Sequence, residues 1–158
     1  MSRRSLASAL AALAVLWSGV LPGAEPLGTA DDAKAMLERA VEALKAHQAE
    51  ALKVFNDEKN KQFHDRDLYV FCFSLPDGNF TAYESPVLLG TNIRELTLPP
   101  NDAIGQRAYD AVANAPEGTI VTMDYELPKP GTKKPAPKQS FEVRVGNQAC
   151  GVSYSSSW

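Results

Sequence analysis

Few side chains in this 158-residue chain are of types that do chemistry on their own. There are two histidines, His47 and His64, and two cysteines, Cys72 and Cys150. His47 lies among Lys45, Gln48 and Glu50 with no second ligand at i+4, so the spacing favours a solvated surface histidine over a metal ligand. His64 stands beside Asp65, but neighbours in a polar loop do not present the aligned imidazole and carboxylate that a working pair requires. There is no nucleophile elbow, metal-ligand spacing or phosphate loop. Residue types and spacing therefore supply no material for a reaction, and neither catalysis, a metal nor a cofactor is expected.

The richer feature is aromatic. Asp67 to Gly78 reads Asp-Leu-Tyr-Val-Phe-Cys-Phe-Ser-Leu-Pro-Asp-Gly. Leu68 to Phe73 is an unbroken run of strand-forming residues, too short for a free-standing helix. Alternation places Leu68, Val70 and Cys72 on one face and Tyr69, Phe71 and Phe73 on the other. Both faces are apolar, so both need cover, which makes this a central strand. Pro76, Asp77 and Gly78 then form a tight turn, and a second strand returns from Asn79 to Glu84.

The elements that position this strand follow from periodicity. Ala33, Met36, Leu37, Ala40, Val41, Leu44, Gln48, Ala51, Leu52 and Phe55 recur at spacings of three and four. They predict a helix reaching about Asn60, roughly 40 Å long, capped by Thr29 or Asp31. Pro86 and Gly90 structure the loop from Tyr83 to Asn92. A short helix starts after Pro99-Pro100-Asn101-Asp102, with Ile104, Ala108, Ala111, Val112 and Ala115 on its buried side. Thr119–Leu127, Lys138–Val145 and Gln148–Ser155 complete the strands. In the second of these, Phe141, Val143 and Val145 alternate with Ser140, Glu142 and Arg144. The Pro-rich tip from Pro128 to Pro137 carries Lys129, Lys133 and Lys134, which solubilise it and guard against edge pairing. Hairpin links make the sheet antiparallel. The long helix covers one face, and the other meets the loop and short helix, where a ligand-sized cavity is expected.

Composition limits the function classes. Apolar residues are 44% and charged residues 22%, with a formal net charge of −3. A mildly acidic chain without clustered Lys and Arg is a poor nucleic-acid binder. The N-terminus reads as an export signal over residues 1–24, with Arg3 and Arg4, an apolar stretch from Leu6 to Leu21, and Pro22-Gly23-Ala24 as its end. Cleavage after Ala24 or after Ala30 fits; a retained anchor over Ser5 to Ala24 is the alternative. Residues 25–30 then form a linker and 31–158 the folded domain. The expected location is the periplasm, with no membrane span in the mature chain.

From about Ala33 to Tyr154 the chain resembles the extracytoplasmic Cache domains of the compact single-module kind. The resemblance rests on Asp67-Leu-Tyr-Val-Phe with the Asp77-Gly78 turn, on Ser85-Pro86-Val87-Leu88-Leu89-Gly90-Thr91-Asn92-Ile93, on Asp124-Tyr125, and on Pro137-Lys138 before Ser140-Phe141. It implies an α+β, PAS-like five-stranded antiparallel sheet of order 2-1-5-4-3 with the long helix on one face. That order makes Cys72 and Cys150 neighbours and candidates for a disulfide. The family recognises small molecules, often short organic acids or amines, and feeds receptors and kinases. No span or cytoplasmic module is expected after Trp158, so the expectation is a stand-alone binding protein or a sensor subunit acting through a separate membrane receptor or kinase. Tyr83 stands where relatives often carry His, and Glu126-Leu127 where a Trp is common.

The residues expected to bind ligand are Tyr69, Phe71, Tyr83, Asp124, Tyr125 and Lys138. The rings form walls, and tyrosine hydroxyls orient polar ligand atoms. Lys138 neutralises a carboxylate, while Asp124 meets an amine. The function that follows is periplasmic binding or sensing of a small molecule, an organic acid first of all. The alternative is a structural or interaction subunit with a collapsed pocket.

Overall fold

The computed structural model describes residues 26–128 and 134–156. The leader assigned to residues 1–24, and Lys129 and Lys133 of the hairpin tip, lie outside them. Helix α1 spans Ala30–Phe55. The Thr29 hydroxyl accepts the Asp32 N–H at 3.2 Å, and the Asp32 carboxylate accepts the Thr29 N–H at 3.0 Å. This reciprocal cap satisfies two backbone donors that the helix start would leave free.

The strands are β1 (His64–Asp65), β2 (Leu68–Ser74), β3 (Phe80–Ala82), β4 (Ile120–Pro128), β5 (Pro135–Val145) and β6 (Gln148–Ser155), and helix α2 covers Ile104–Asn114. All pairings are antiparallel: β6 lies between β2 and β5, and β4 is the far edge. The sheet has six strands rather than the expected five, because β1 also pairs with the start of β2, while β3 pairs with its end. From β2 onward the order β2-β6-β5-β4 is the expected one, while β3 lies off that path and shares the β2 edge with β1. Among the described residues, no helix is long and apolar enough to cross a membrane.

The two faces of β2 separate two cores, as its alternation demands. Leu68, Val70 and Cys72 join Met36, Leu37, Leu44 and Phe55 of α1 with Val143 and Val152. Phe71 and Phe73 join Phe80, Ile93, Ile104, Val112 and Met123 on the opposite face. Cys72 and Cys150 are register partners on β2 and β6 and form a disulfide, with both side chains fully buried.

The end of the long helix and the surroundings of His64 also differ from the sequence-based expectation. The helix ends at Phe55 rather than near Asn60, and its backbone leaves helical geometry at His47 (φ −155°, ψ 87°). The end is set by Asn56. Its amide donates to the Leu52 and Thr81 carbonyls at 3.0 Å each, and its carbonyl accepts the Tyr83 N–H at 3.1 Å. One side chain thus caps the helix and ties it to β3. His64, expected beside Asp65 in a polar loop, lies in the short strand β1. It is 9% exposed, and its Nε2–H donates to the Phe55 carbonyl at 2.6 Å. Asp65 bonds to Arg66 instead, at 2.8 Å.

Candidate functional site

The face of the sheet away from α1 is roofed by the chain between β3 and α2. Asn92 pins this segment by donating to the Asp77 carbonyl at 2.8 Å, and Arg94 donates to the same oxygen at 2.7 Å while its guanidinium lies 4.7 Å from the Tyr109 ring centre. The Tyr109 hydroxyl donates to the Leu75 carbonyl at 2.6 Å, anchoring α2. Helix α2 begins against the Ile93–Glu95 turn so closely that a Cβ on Gly105 would sit 1.7 Å from the Ile93 carbonyl oxygen. Only glycine fits there, and its absence of side chain brings the roof down onto the sheet.

Between roof and sheet lies a cavity of about 140 Å³. Phe71, Phe80, Ile93, Leu96, Leu98 and Ile104 supply its apolar wall. An engineered apolar cavity of roughly 150 Å³ holds benzene, so a ligand of about six non-hydrogen atoms is the appropriate size. The polar lining comes from Tyr69, Tyr83, Tyr125, Lys138, Ser140, Glu142 and Ser153.

Five of the six residues expected to bind ligand line this cavity: Tyr69, Phe71, Tyr83, Tyr125 and Lys138. Asp124 does not. Its neighbour Tyr125 faces the cavity, and strand alternation turns Asp124 the other way, where its carboxylate accepts from Gln139 at 2.7 Å and remains exposed. The pair Asp124 and Tyr125 could not both have faced one side of a strand.

Two of the three tyrosines, Tyr69 and Tyr83, are directly joined. The Tyr69 hydroxyl donates to that of Tyr83 at 3.3 Å, and the rings meet edge to face with centres 5.5 Å apart. Burial, and secondarily Tyr83, pushes the Tyr69 hydroxyl far above the ordinary tyrosine range. Burial pushes Tyr125 up to about 12, partly offset by its hydrogen bond with Ser153. Both therefore stay neutral and keep their protons available as donors near pH 7.

Sequence reasoning missed Glu142, Ser140 and Ser153. Glu142 is 2% exposed. Ser140 Oγ donates to its Oε1 at 2.8 Å, while Oε2 has no hydrogen-bond partner among the described residues. Burial raises its pKa to about 7, and the Ser140 bond only partly opposes that. The floor beneath it is Gly151, where a Cβ would come within 2.5 Å of the Phe71 ring and 2.8 Å of Glu142 Cγ. Its burial comes from layers on both faces of β5: Phe141, Val143 and Val145 face α1, while Ser140 and Glu142 lie under the roof, and nothing in Phe141-Glu142-Val143 signals that cover.

No family model matches the chain, and no curated protein is similar to it in sequence. Solved structures are similar in fold. A methyl-accepting chemotaxis protein from Vibrio parahaemolyticus superposes with a TM-score of 0.60 at 18% identity, over 79% of this chain and 86% of that one. A periplasmic sensor domain of a chemotaxis protein gives 0.56 at 18% identity, over 79% and 88%. A Cache chemosensory domain described for carboxylic acid recognition gives 0.55 at 18% identity, over 79% and 86%. With the central strand, the covering helix and the roofed cavity in place, the chain has the fold of the extracytoplasmic Cache sensor domains.

Proposed function

We propose that this chain is a periplasmic sensing domain that binds a small organic acid in the cavity between the sheet and the α2 roof, and passes the signal through a membrane receptor or kinase partner. The observation that carries the reading is a ligand-sized cavity lined mainly by apolar side chains, with hydroxyl donors and one lysine, Lys138, along its polar side. A carboxylate taken into such a site needs a positive partner or several donors, because an unpaired buried charge is very costly. Lys138 and the Tyr69, Tyr83 and Tyr125 hydroxyls are of the right types. The carboxylic acid recognition described for one domain of similar fold points in the same direction.

The test is a thermal-shift screen of the exported protein against short organic acids. At a hundredfold excess over the dissociation constant, a ligand adds roughly 2.7 kcal/mol of stability, several degrees in a domain of this size. Lys138→Ala is expected to lose the acid-induced shift while leaving the unliganded melting temperature nearly unchanged, since Lys138 is only half buried. A broad acid panel that shifts neither protein would remove the reading and leave the structural-subunit alternative.

Export is part of the same proposal. Protein taken from a periplasmic extract is expected to begin near Glu25 on N-terminal sequencing. An intact Met1 recovered only in the membrane fraction would establish the anchor instead.

A further inference from the structure

The cavity contains a fully buried polar atom that its described lining does not satisfy. Glu142 Oε2 is buried and unpartnered among the described residues, although the carboxyl group lines the cavity. No ion pair joins Glu142 to a base among the described residues. Lys138 lies on the same face of β5 four residues away, with the Cα atoms about 13 Å apart at strand rise. One end of the cavity therefore offers an ammonium group, and another offers a carboxylate oxygen waiting for a donor.

We infer that the ligand is a small amino acid rather than a plain carboxylic acid, with its ammonium group donating to Glu142 Oε2 and its carboxylate directed to Lys138. This rests on the ligand-site reading above and refines its chemical class. A donor at Oε2 removes the cost of a buried, half-satisfied carboxylate. A plain acid supplies no such donor and places a second negative group in the same small volume. The size limit of about six non-hydrogen atoms admits glycine and 3-aminopropanoate.

The state of Glu142 can be read through pH. Among the described residues, the titratable groups facing the cavity with it are Tyr69 from β2, Tyr83 following β3, Tyr125 from β4 and Lys138 from β5; the described lining from β6, α2 and the roof contributes none. Tyr69 and Tyr125 are held neutral by burial. An aliphatic ammonium, with a pKa near ~10, stays charged between pH 6 and 8. Loss of the Glu142 proton over that interval should then strengthen ammonium binding.

The experiment is calorimetric titration of the wild-type exported protein with two matched pairs, glycine against acetate and 3-aminopropanoate against propanoate, at pH 6, 7 and 8. The expected result is at least a tenfold advantage for an amino acid over its partner acid, increasing from pH 6 to 8. Glu142→Gln is expected to cancel the advantage from both sides, weakening the amino acid and removing the charge that opposes the plain acid. Equal or tighter binding of the plain acids overturns the inference and leaves the organic-acid reading standing. Plain-acid binding that is the tighter and strengthens toward pH 6 overturns it equally, for Glu142 would then be a protonated donor to the ligand carboxylate. If none of the four compounds binds, the inference fails, and the broad acid panel alone decides the organic-acid reading. The matched pairs need no variant, so a poorly folding Glu142→Gln protein would not rescue the inference.

Discussion

Glu142→Gln is expected to raise the melting temperature of the unliganded protein by up to about 10 °C at pH 7.5 and by only about 2 °C at pH 5. The direction follows from linkage. Burial raises the folded-state pKa of Glu142 from 4.5 to about 7. A carboxyl group shifted upward contributes its full share of stability below the unfolded value and loses it as pH rises through the folded value. The loss therefore falls between about pH 4.5 and pH 7. A shift of that size corresponds to about 3 kcal/mol, which at roughly 3 °C per kcal/mol for a chain of this length gives the stated change. Glutamine keeps the shape and removes the charge, although its amide also needs a partner, which trims the gain.

The control lies in the other shifted acids. Asp32 is lowered mainly by its backbone hydrogen bond with Thr29, and Asp77 mainly by that with Asn79. Groups lowered in this way lose their contribution only as pH falls below the ordinary carboxylate range, so they do not move between pH 5 and 8. Thermal melts of wild type and variant at pH 5, 6, 7 and 8 read the difference directly. A constant gap across that series would show that Glu142 does not change its protonation there. A stabilised but less selective variant would mark Glu142 as a group kept for binding at the expense of the empty protein's stability, a pattern familiar at functional sites.

The second large effect is expected at the disulfide. Cys72 and Cys150 are separated by 78 residues in sequence and are bonded across β2 and β6. In the chain-entropy picture, a cross-link closing a loop of that length stabilises by about 4 kcal/mol, by restricting the unfolded chain. Reduction, or the double replacement Cys72→Ala with Cys150→Ala, should lower the melting temperature by more than about 10 °C. Both cysteines are fully buried within the core beneath α1, so the alanine variant also loses packing and should be the more destabilised of the two. Thiol counting on denatured protein confirms the oxidation state before each melt. An unchanged melting temperature after verified reduction would refute the expectation.

Local pattern alone determined a good deal of this protein. The run Leu68–Phe73 has apolar residues at both parities, and an alternating backbone can bury both sets only between two layers. Thr29 followed by Asp32, and the seam from Ala33 to Phe55, specify a capped amphipathic helix because capping and helical period are properties of neighbouring residues. Tyr69 and Phe71 fall on the face opposite the helix for the same reason, and with Lys138 they were legible as lining of the cavity. Asp124 was misplaced by ignoring that same alternation beside Tyr125.

Other features were decided only when the elements came together. Glu142 has the sequence surroundings of an ordinary solvent-facing strand residue, Phe141-Glu142-Val143. Its burial depends on β5 lying between β4 and β6, on α2 closing over that face, and on Gly151 leaving room for its Cγ. His64 lies in a polar stretch, and only the end of α1 supplies the carbonyl that takes it out of solvent. The helix stops at Asn56 because Thr81 and Tyr83, some 25 residues onward, offer that side chain partners. Short-range preferences depend on a residue's own dihedrals and its neighbours, whereas burial and hydrogen-bond satisfaction depend on atoms distant in sequence. That is why the walls of this cavity could be read from the chain while the carboxyl group inside it could not.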